Sequence, residues 1–393
     1  MTMAFHVLGL ARTLPFHSIG GLQSIGWDLF SEFVRSGVRV TLLTTEIPGR
    51  RGPFEEQGVQ VVPIRGAAPE RYSRQWWKGS AAYVRDEMRD PVDGVLSVSA
   101  AAAGLLDLRP GILRAPFLFQ AHGTSWGEVV SKWRSGRITQ WAKSSRNLLW
   151  MFKDAQLYRQ FDHLVLVGDI IEEQFHSFPL NLMAGSIPRT VIRNGIDTRI
   201  FAANEERRRE QRAALSWPQQ AEVAVFIGRL HPQKGGIRAI EVFADYARVA
   251  PQARLLIVGG GEEEEALRAK AAGSGLAARI HFTGPVSRDR VPSLLAACDA
   301  MIFPTLRQEG LPMNVLEALA CGVYPICSST LRKAFDDRLP IRFASADDVP
   351  ALSAHLAEAL RIGNAGRSLL TPEYTLEYAA AAYLDLLRAG PRR

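Results

Sequence analysis

An α/β chain carrying two parallel sheets, one in each half, is the fold class the sequence predicts. Three observations predict it. Short apolar runs alternate with helix-period patterns, the signature of strands joined by crossover helices. That rhythm breaks once, near 186–204, and then restarts. The chain has 393 residues, long enough for two domains of ordinary size.

Element by element, Ala4–Leu10 predicts the first strand. A helix follows through Ile25, Leu29, Phe33 and Val34, whose spacing lines one face, and it stops at Gly37. Val38–Thr44 is the next strand, and Gly94–Val98, Pro116–Gln120 and His163–Val167 complete those legible in the first half. Pro188, Gly195 and the polar run from Asn204 then interrupt the pattern. Strands resume at Glu222–Ile227, Arg254–Val258, Ile280–Phe282, Ala300–Phe303 and Val323–Ile326, and a last helix spans Thr375–Leu387. The predicted division is 1–190, 191–371 and a C-terminal helical segment 372–393.

Composition narrows the class. Hydrophobic residues make up 47% and charged residues 22%, as in globular enzymes. No uninterrupted apolar run is long enough to span a bilayer. The opening MTMAFHVLGLARTLPFHSIGG lacks a signal-peptide cleavage pattern and reads as a first strand and loop. Cys298, Cys321 and Cys327 are odd in number and lack paired metal spacing, which predicts buried thiols in a reducing compartment and a cytoplasmic protein. The net charge of +7 favours acidic partners: a nucleotide diphosphate, anionic lipid or nucleic acid. No recognisable RNA or DNA motif accompanies it, so nucleic acid is not the expected partner.

Residues 303–329, FPTLRQEGLPMNVLEALACGVYPICSS, carry most of the information. The strand Ala300–Phe303 runs into a turn at Pro304, and a loop carries Glu309 just ahead of Gly310, Leu311 and Pro312. Pro312 suits the first turn of a helix, and Gly322 suits its end. Glu317 lies inside that helix. Unpaired N–H groups at a helix start favour a phosphate, and a carboxylate accepts two hydrogen bonds from vicinal sugar hydroxyls. The combination describes a site for a sugar nucleotide. The string resembles the signature of the family 4 retaining glycosyltransferases, matching at Glu309, Gly310, Pro312, Glu317, Ala318 and Gly322. That resemblance implies the GT-B fold, two Rossmann-like domains facing each other across a cleft, with the last helix crossing back to the first domain. It also implies that Glu309 meets the donor sugar and Glu317 the nucleotide ribose.

Other stretches fall just past predicted strands, where such sheets bind ligands. Gly228-Arg229-Leu230-His231-Pro232-Gln233-Lys234-Gly235 follows the strand ending at Ile227. Arg229 and Lys234 suit the charge that grows on a departing nucleoside diphosphate, and the string resembles the family's glycine-arginine-leucine loop. Gly20-Gly21 permits close backbone approach to a phosphate or sugar, and the resemblance directs Gly21 toward the donor. Leu22-Gln23 departs from the acidic residue frequent there. Gly259-Gly260-Gly261 follows another strand, with Gly259 a candidate contact for base or ribose. Four glutamates follow, so the run is no dinucleotide fingerprint. His122 sits past Pro116–Gln120 where the family has a His-Gly; it either serves the structure, donates a hydrogen bond near the donor phosphate, or orients the acceptor. Asn194-Gly195-Ile196-Asp197 resembles the family's turn between domains, with Arg193 in place of proline.

The segment 131–153 has six basic residues, Lys132, Arg134, Arg137, Lys143, Arg146 and Lys153, and no acidic one. As a helix it either docks on anionic lipid or packs its Trp141, Leu148 and Phe152 side into its own domain. No Asp-x-Asp triplet occurs, so a metal clamp is not expected and no cofactor beyond the co-substrate is called for. The expected function is transfer, with retention, of a hexose-type sugar from a UDP or GDP donor to a glycan or lipid-linked acceptor. Glu309, His122, Arg229 and Lys234 are the candidate catalytic residues. Gly21, Gly228, Arg229, Lys234, Gly259, Gly310, Leu311, Pro312 and Glu317 are the candidate donor contacts. A sugar-nucleotide epimerase, a phosphorylase and a non-catalytic nucleotide binder remain alternatives. A glycoside hydrolase using Glu309 and Glu317 would leave Arg229 and Lys234 without a task.

Overall fold

The computed structural model describes residues 4–18, 21–109, 111–127, 129, 151–307 and 309–390. The chain forms two compact units, Met1–Gly195 with Leu376–Arg393, and Ile196–Thr375.

Among the described residues of the first unit, eight strands share one sheet. They are β1 (His6–Leu10), β2 (Arg39–Thr44), β3 (Phe54–Glu56), β4 (Val59–Pro63), β5 (Gly94–Val98), β6 (Phe117–Ala121), β7 (His163–Leu166) and β8 (Arg189–Val191). The spatial order is β3-β4-β2-β1-β5-β6-β7-β8. All pairings are parallel except β3 with β4. The central strands β1, β5 and β6 are buried at every residue. Strands covered on both faces need apolar side chains throughout, which is why they were legible as continuous runs.

Two cores cover the faces. One gathers Leu8, Val95, Phe117 and Phe119 from the strands with Trp76, Leu105, Tyr158 and Phe175. The other gathers Val7, Leu96, Leu118 and Val165 with Phe30 and Phe33 of the helix Gly21–Arg35 and Tyr383, Leu384 and Leu387 of the final helix Leu376–Ala389. The final helix is therefore a structural part of the first unit, and its Tyr383 ring lies 6.4 Å from that of Phe33.

The second unit has six described strands, all parallel: β9 (Val223–Ile227), β10 (Arg254–Val258), β11 (Ile280–Gly284), β12 (Ala300–Phe303), β13 (Tyr324–Ser328) and β14 (Arg342–Ala344). Their order is β11-β10-β9-β12-β13-β14. The chain thus lays down strands in one direction from β9, then returns to add the rest beside β9 on its other side. The first sheet reverses in the same way between β1 and β5. Ligands of such sheets bind outside the carboxyl ends at these reversals.

Sequence and structure differ in places with clear causes. The strands β3, β4, β8 and β14 were not anticipated; FEE, RTV and RFA, three residues each, are too short and polar to show a periodic signal, and VQVVP of β4 is five residues interrupted by a glutamine and ended by a proline. The polar run from Asn204 is a helix, Glu205–Ala214, rather than a break. The Asn204 side chain caps it by accepting from Arg207 N–H, and Arg212, fully buried, pairs with Asp299 at 2.9 Å. Charged residues conceal a buried face here because the burial is ionic. Of the basic segment 131–153, only 151–153 lie within the described residues, and the rest of that expectation falls outside them. Cys298, Cys321 and Cys327 are buried free thiols.

Candidate functional site

Strands β9 and β12 flank the reversal of the second sheet and end at Ile227 and Phe303. The loops beyond them are stapled together. Gly235, in a left-handed conformation at φ 78°, lies so close to the next loop that a β-carbon would sit 2.2 Å from the Pro304 carbonyl. The Thr305 hydroxyl and the Leu306 N–H both donate to the Gln233 carbonyl, at 3.0 and 2.9 Å. This places Lys234 opposite Glu309, and Lys234 Nζ donates to both carboxylate oxygens, at 2.8 and 2.7 Å. Both side chains are mostly buried. Two residues expected on different parts of a donor are here each other's partners. Arg229, by contrast, is exposed, and among the described residues its guanidinium has no hydrogen bond or ion pair.

The helix Met313–Ala320 opens from this loop, with Pro312 at the N-cap, one position earlier than a first-turn proline. Proline offers no capping side chain. Among the described residues the N–H groups of Met313 and Asn314 carry no hydrogen bond, leaving donors and the positive end of the helix dipole open. Asn314 fixes the helix start. Its Nδ2 donates to the Ile227 carbonyl at the end of β9 at 2.7 Å, and its Oδ1 accepts from Val315 N–H at 3.1 Å. The far end closes with Gly322 at φ 77°, Gly322 N–H donating to Leu319 and Val323 N–H to Ala318. Gly310 is exposed and Leu311 half-buried in the same loop. Glu317, one turn along the helix, is mostly buried, and its carboxylate lies 3.9 Å from Arg288 Nε. Arg288 in turn covers the Phe201 ring at 5.5 Å.

Gly259 has a structural duty. A β-carbon there would lie 2.0 Å from the Gly228 carbonyl, and the two loops run together through Gly228 N–H to Val258 and Leu230 N–H to Gly260, each 3.0 Å. The triple glycine lets the 259–261 loop lie against the 228–230 loop and so supports the position of Arg229. Gly228, Arg229, Lys234, Glu309, Gly310, Leu311 and Pro312 thus gather at one reversal, with Glu317 one helical turn away and Gly259 beneath.

In the first unit, Gly21 is the exposed first residue of its helix, and Gly20 lies outside the described residues. His122 follows β6 directly. Its Nε2 is 2.9 Å from Gln120 Oε1, and Gln120 Nε2 donates to the Tyr383 hydroxyl at 2.8 Å. Burial lowers the His122 pKa to about 4, so the imidazole is neutral at pH 7, with Nε2–H donating to Gln120. Arg193, standing where the family has proline, pairs with Asp169 at 2.8 Å, and the buried Asp197 carboxylate accepts from Arg199. Each contact lies within its own unit, on either side of Gly195. Asn314 was missed in the sequence, although an asparagine at the second helical position is a recognisable local signal. Gln120 and Tyr383 gave no signal, because 263 residues separate them.

Among the described residues, no group of three or more His, Cys, Asp or Glu could hold a metal ion, and no helix is long and apolar enough to cross a membrane.

Two family models match the chain: Glycosyltransferase Family 4 over residues 19–200 and Glycosyl transferases group 1 over residues 207–335. Among curated proteins, the chain is 30% identical over 215 residues to a GDP-mannose-dependent monoacylated alpha-(1-6)-phosphatidylinositol monomannoside mannosyltransferase of Corynebacterium glutamicum. The match covers 51% of this chain and 56% of that protein, so the chain spans little more than half the length of the curated relatives it matches. Among solved structures, sucrose-phosphate synthase from Thermosynechococcus elongatus superposes with a TM-score of 0.75 at 16% identity, over 98% of each chain. Anabaena HepE, solved in complex with UDP and glucose, superposes with a TM-score of 0.68 at 16% identity, over 98% of this chain and 100% of that one. These likenesses show the fold.

Proposed function

The chain belongs to the family 4 glycosyltransferases of the GT-B fold, and from that premise we propose that it transfers a hexose-type sugar, with retention and without a metal, from a nucleotide-diphosphate sugar to a glycan or lipid-linked acceptor. The observation that carries this reading is the convergence, at the β9/β12 reversal, of a lysine–glutamate pair with an arginine and helix N–H groups that have no partner among the described residues.

In this reading Arg229 and the Met313 and Asn314 N–H groups meet the pyrophosphate. Their charges are fixed before reaction, so they favour the transition state, in which the leaving diphosphate becomes more negative. Lys234 turns from Glu309 toward a phosphate oxygen as the donor arrives, which frees the Glu309 carboxylate for sugar hydroxyls. Glu317 binds the ribose. The cations and the helix dipole take the place of a metal, and the departing phosphate accepts the acceptor's proton on the same face. His122 and Gly21, on the first unit, are assigned to the acceptor. The Corynebacterium relative makes GDP-mannose the first donor to try and a mannosylated phosphatidylinositol the first acceptor; the UDP complex of HepE makes UDP-glucose the second. The reading places the enzyme in the cytoplasm, at the inner face of the cell membrane, in polysaccharide or lipopolysaccharide synthesis.

Isothermal titration with UDP, GDP and ADP sugars, without and with EDTA, tests it. One donor should bind in both conditions and fail to bind Glu317→Ala. Binding lost in EDTA would overturn metal independence, and conversion of the donor without any acceptor would point to an epimerase instead.

A further inference from the structure

The reversal of the first sheet, between β1 and β5, carries a second cation whose donors are unspent among the described residues, Arg12. The chain leaves β1 through Ala11, Arg12 and Thr13, and leaves β5 through Ser99. Arg12, Thr13, Gly26, Tyr72, Val98 and Ser99 line a small recess there. Arg12 is half-buried, and among the described residues its guanidinium has no carboxylate partner and no hydrogen bond.

Its position is set by an aromatic ring. The guanidinium carbon lies 5.0 Å from the Tyr72 ring centroid. Tyr72 is held by a stack on Trp77, centroids 5.0 Å apart and planes 20° from parallel, and by its hydroxyl, which donates to the Val98 carbonyl at 3.2 Å. An arginine oriented by a carboxylate spends its N–H fork on that carboxylate. One oriented by stacking keeps the fork free for a bidentate anion. Ser99 adds to the picture, since it holds a left-handed φ of 54° that a serine rarely adopts, and such backbone strain clusters at ligand sites. Glu70, the carboxylate bonded to Thr13 of this recess, accepts from the hydroxyls of Thr13 and Ser18.

We infer that Arg12 is an anion-recognition residue of the acceptor site, so that the acceptor carries a phosphate beside its sugar or polyol. The inference rests on the transferase reading only in calling the ligand an acceptor; the anion site itself does not depend on it. The phosphate could belong to a soluble sugar phosphate or to a lipid headgroup, and the arms of the test separate them.

The full chain and its Arg12→Gln, Arg12→Lys and Tyr72→Phe variants are titrated with inorganic phosphate, glucose 6-phosphate, unphosphorylated glucose, and phosphatidylcholine vesicles with and without phosphatidylinositol. Nucleotide sugar is titrated into the same samples. The expected result is binding of glucose 6-phosphate or of the phosphatidylinositol vesicles, weakened roughly tenfold or more in Arg12→Gln. Arg12→Lys should recover part of it and Tyr72→Phe, which keeps the stack, nearly all. Glucose should not bind measurably, and donor affinity should be unchanged in every variant. Equal anion binding by Arg12→Gln, or no binding of any anion by the parent chain, overturns the proposal. Loss of donor binding in the parent chain would instead remove the transferase reading and leave the anion result to stand by itself.

Discussion

Lys234 and Glu309 neutralise each other, while Arg229 a few residues away has no partner among the described residues. That contrast assigns them different work. A group already paired has to exchange partners on binding, whereas an unpartnered cation costs the fold nothing to use. Arg229→Gln should therefore leave stability within about 0.5 kcal/mol, as for an ordinary surface change. It should lower kcat/KM roughly 10²–10³-fold, the scale of losing one fixed donor to a developing anion. Urea unfolding and initial rates on the same preparation check both halves.

His122 supplies a pH prediction. Its folded pKa of about 4 lies below the ordinary 6.5, so on acidification the unfolded chain takes up the proton first. The residue leaves stability untouched above pH 6.5 and drains it progressively as pH falls toward 4. His122→Asn cannot titrate. Its urea midpoint should fall less between pH 7.5 and 5 than that of the parent chain, and equal falls would show the ring to be solvated.

At the scale of elements, the site is an agreement among loops that follow neighbouring strands. Gly259 supports Gly228, Gly235 supports Pro304, and Asn314 ties a helix start to the end of β9. Gly259→Ala tests that agreement. Its β-carbon would stand 2.0 Å from a backbone carbonyl and at φ 129°, where neither side can yield cheaply. The expected cost is roughly 2–5 kcal/mol, a drop of roughly 5–15 °C in the melting temperature of a unit this size. Donor binding should weaken with it. Unchanged melting and donor affinity would show that the loops are less closely joined than the structure has them.

For the whole molecule, the last helix matters most. It follows the second unit in the chain, yet it closes one core of the first. Removing residues 376–393 uncovers Phe30, Phe33 and Val7 and loses the burial of Tyr383, Leu384 and Leu387. At about 1.5–3 kcal/mol per large side chain the loss is roughly 5–9 kcal/mol, comparable with the whole stability of a domain. Calorimetry of the truncated chain should show the first unit's transition abolished and the second unit's retained. Loss of both would mean that neither unit folds alone.

Much of this was legible in the sequence. The apolar runs of β1, β5, β6, β9, β10 and β12 were readable because a strand buried on both faces has to be apolar throughout, a local requirement that every residue reports. The 303–329 string was readable because a loop carboxylate, a helix start and a terminating glycine follow one another between Glu309 and Gly322. Only the tertiary structure decided which residues meet. Lys234 and Glu309 are 75 residues apart, Gln120 and Tyr383 are 263 apart, and the duty of Gly259 is visible only once Gly228 lies against it. Local sequence sets backbone preference and which faces are apolar. Pairing depends on the order in which strands join a sheet, which brings together side chains whose neighbours in sequence carry no trace of each other.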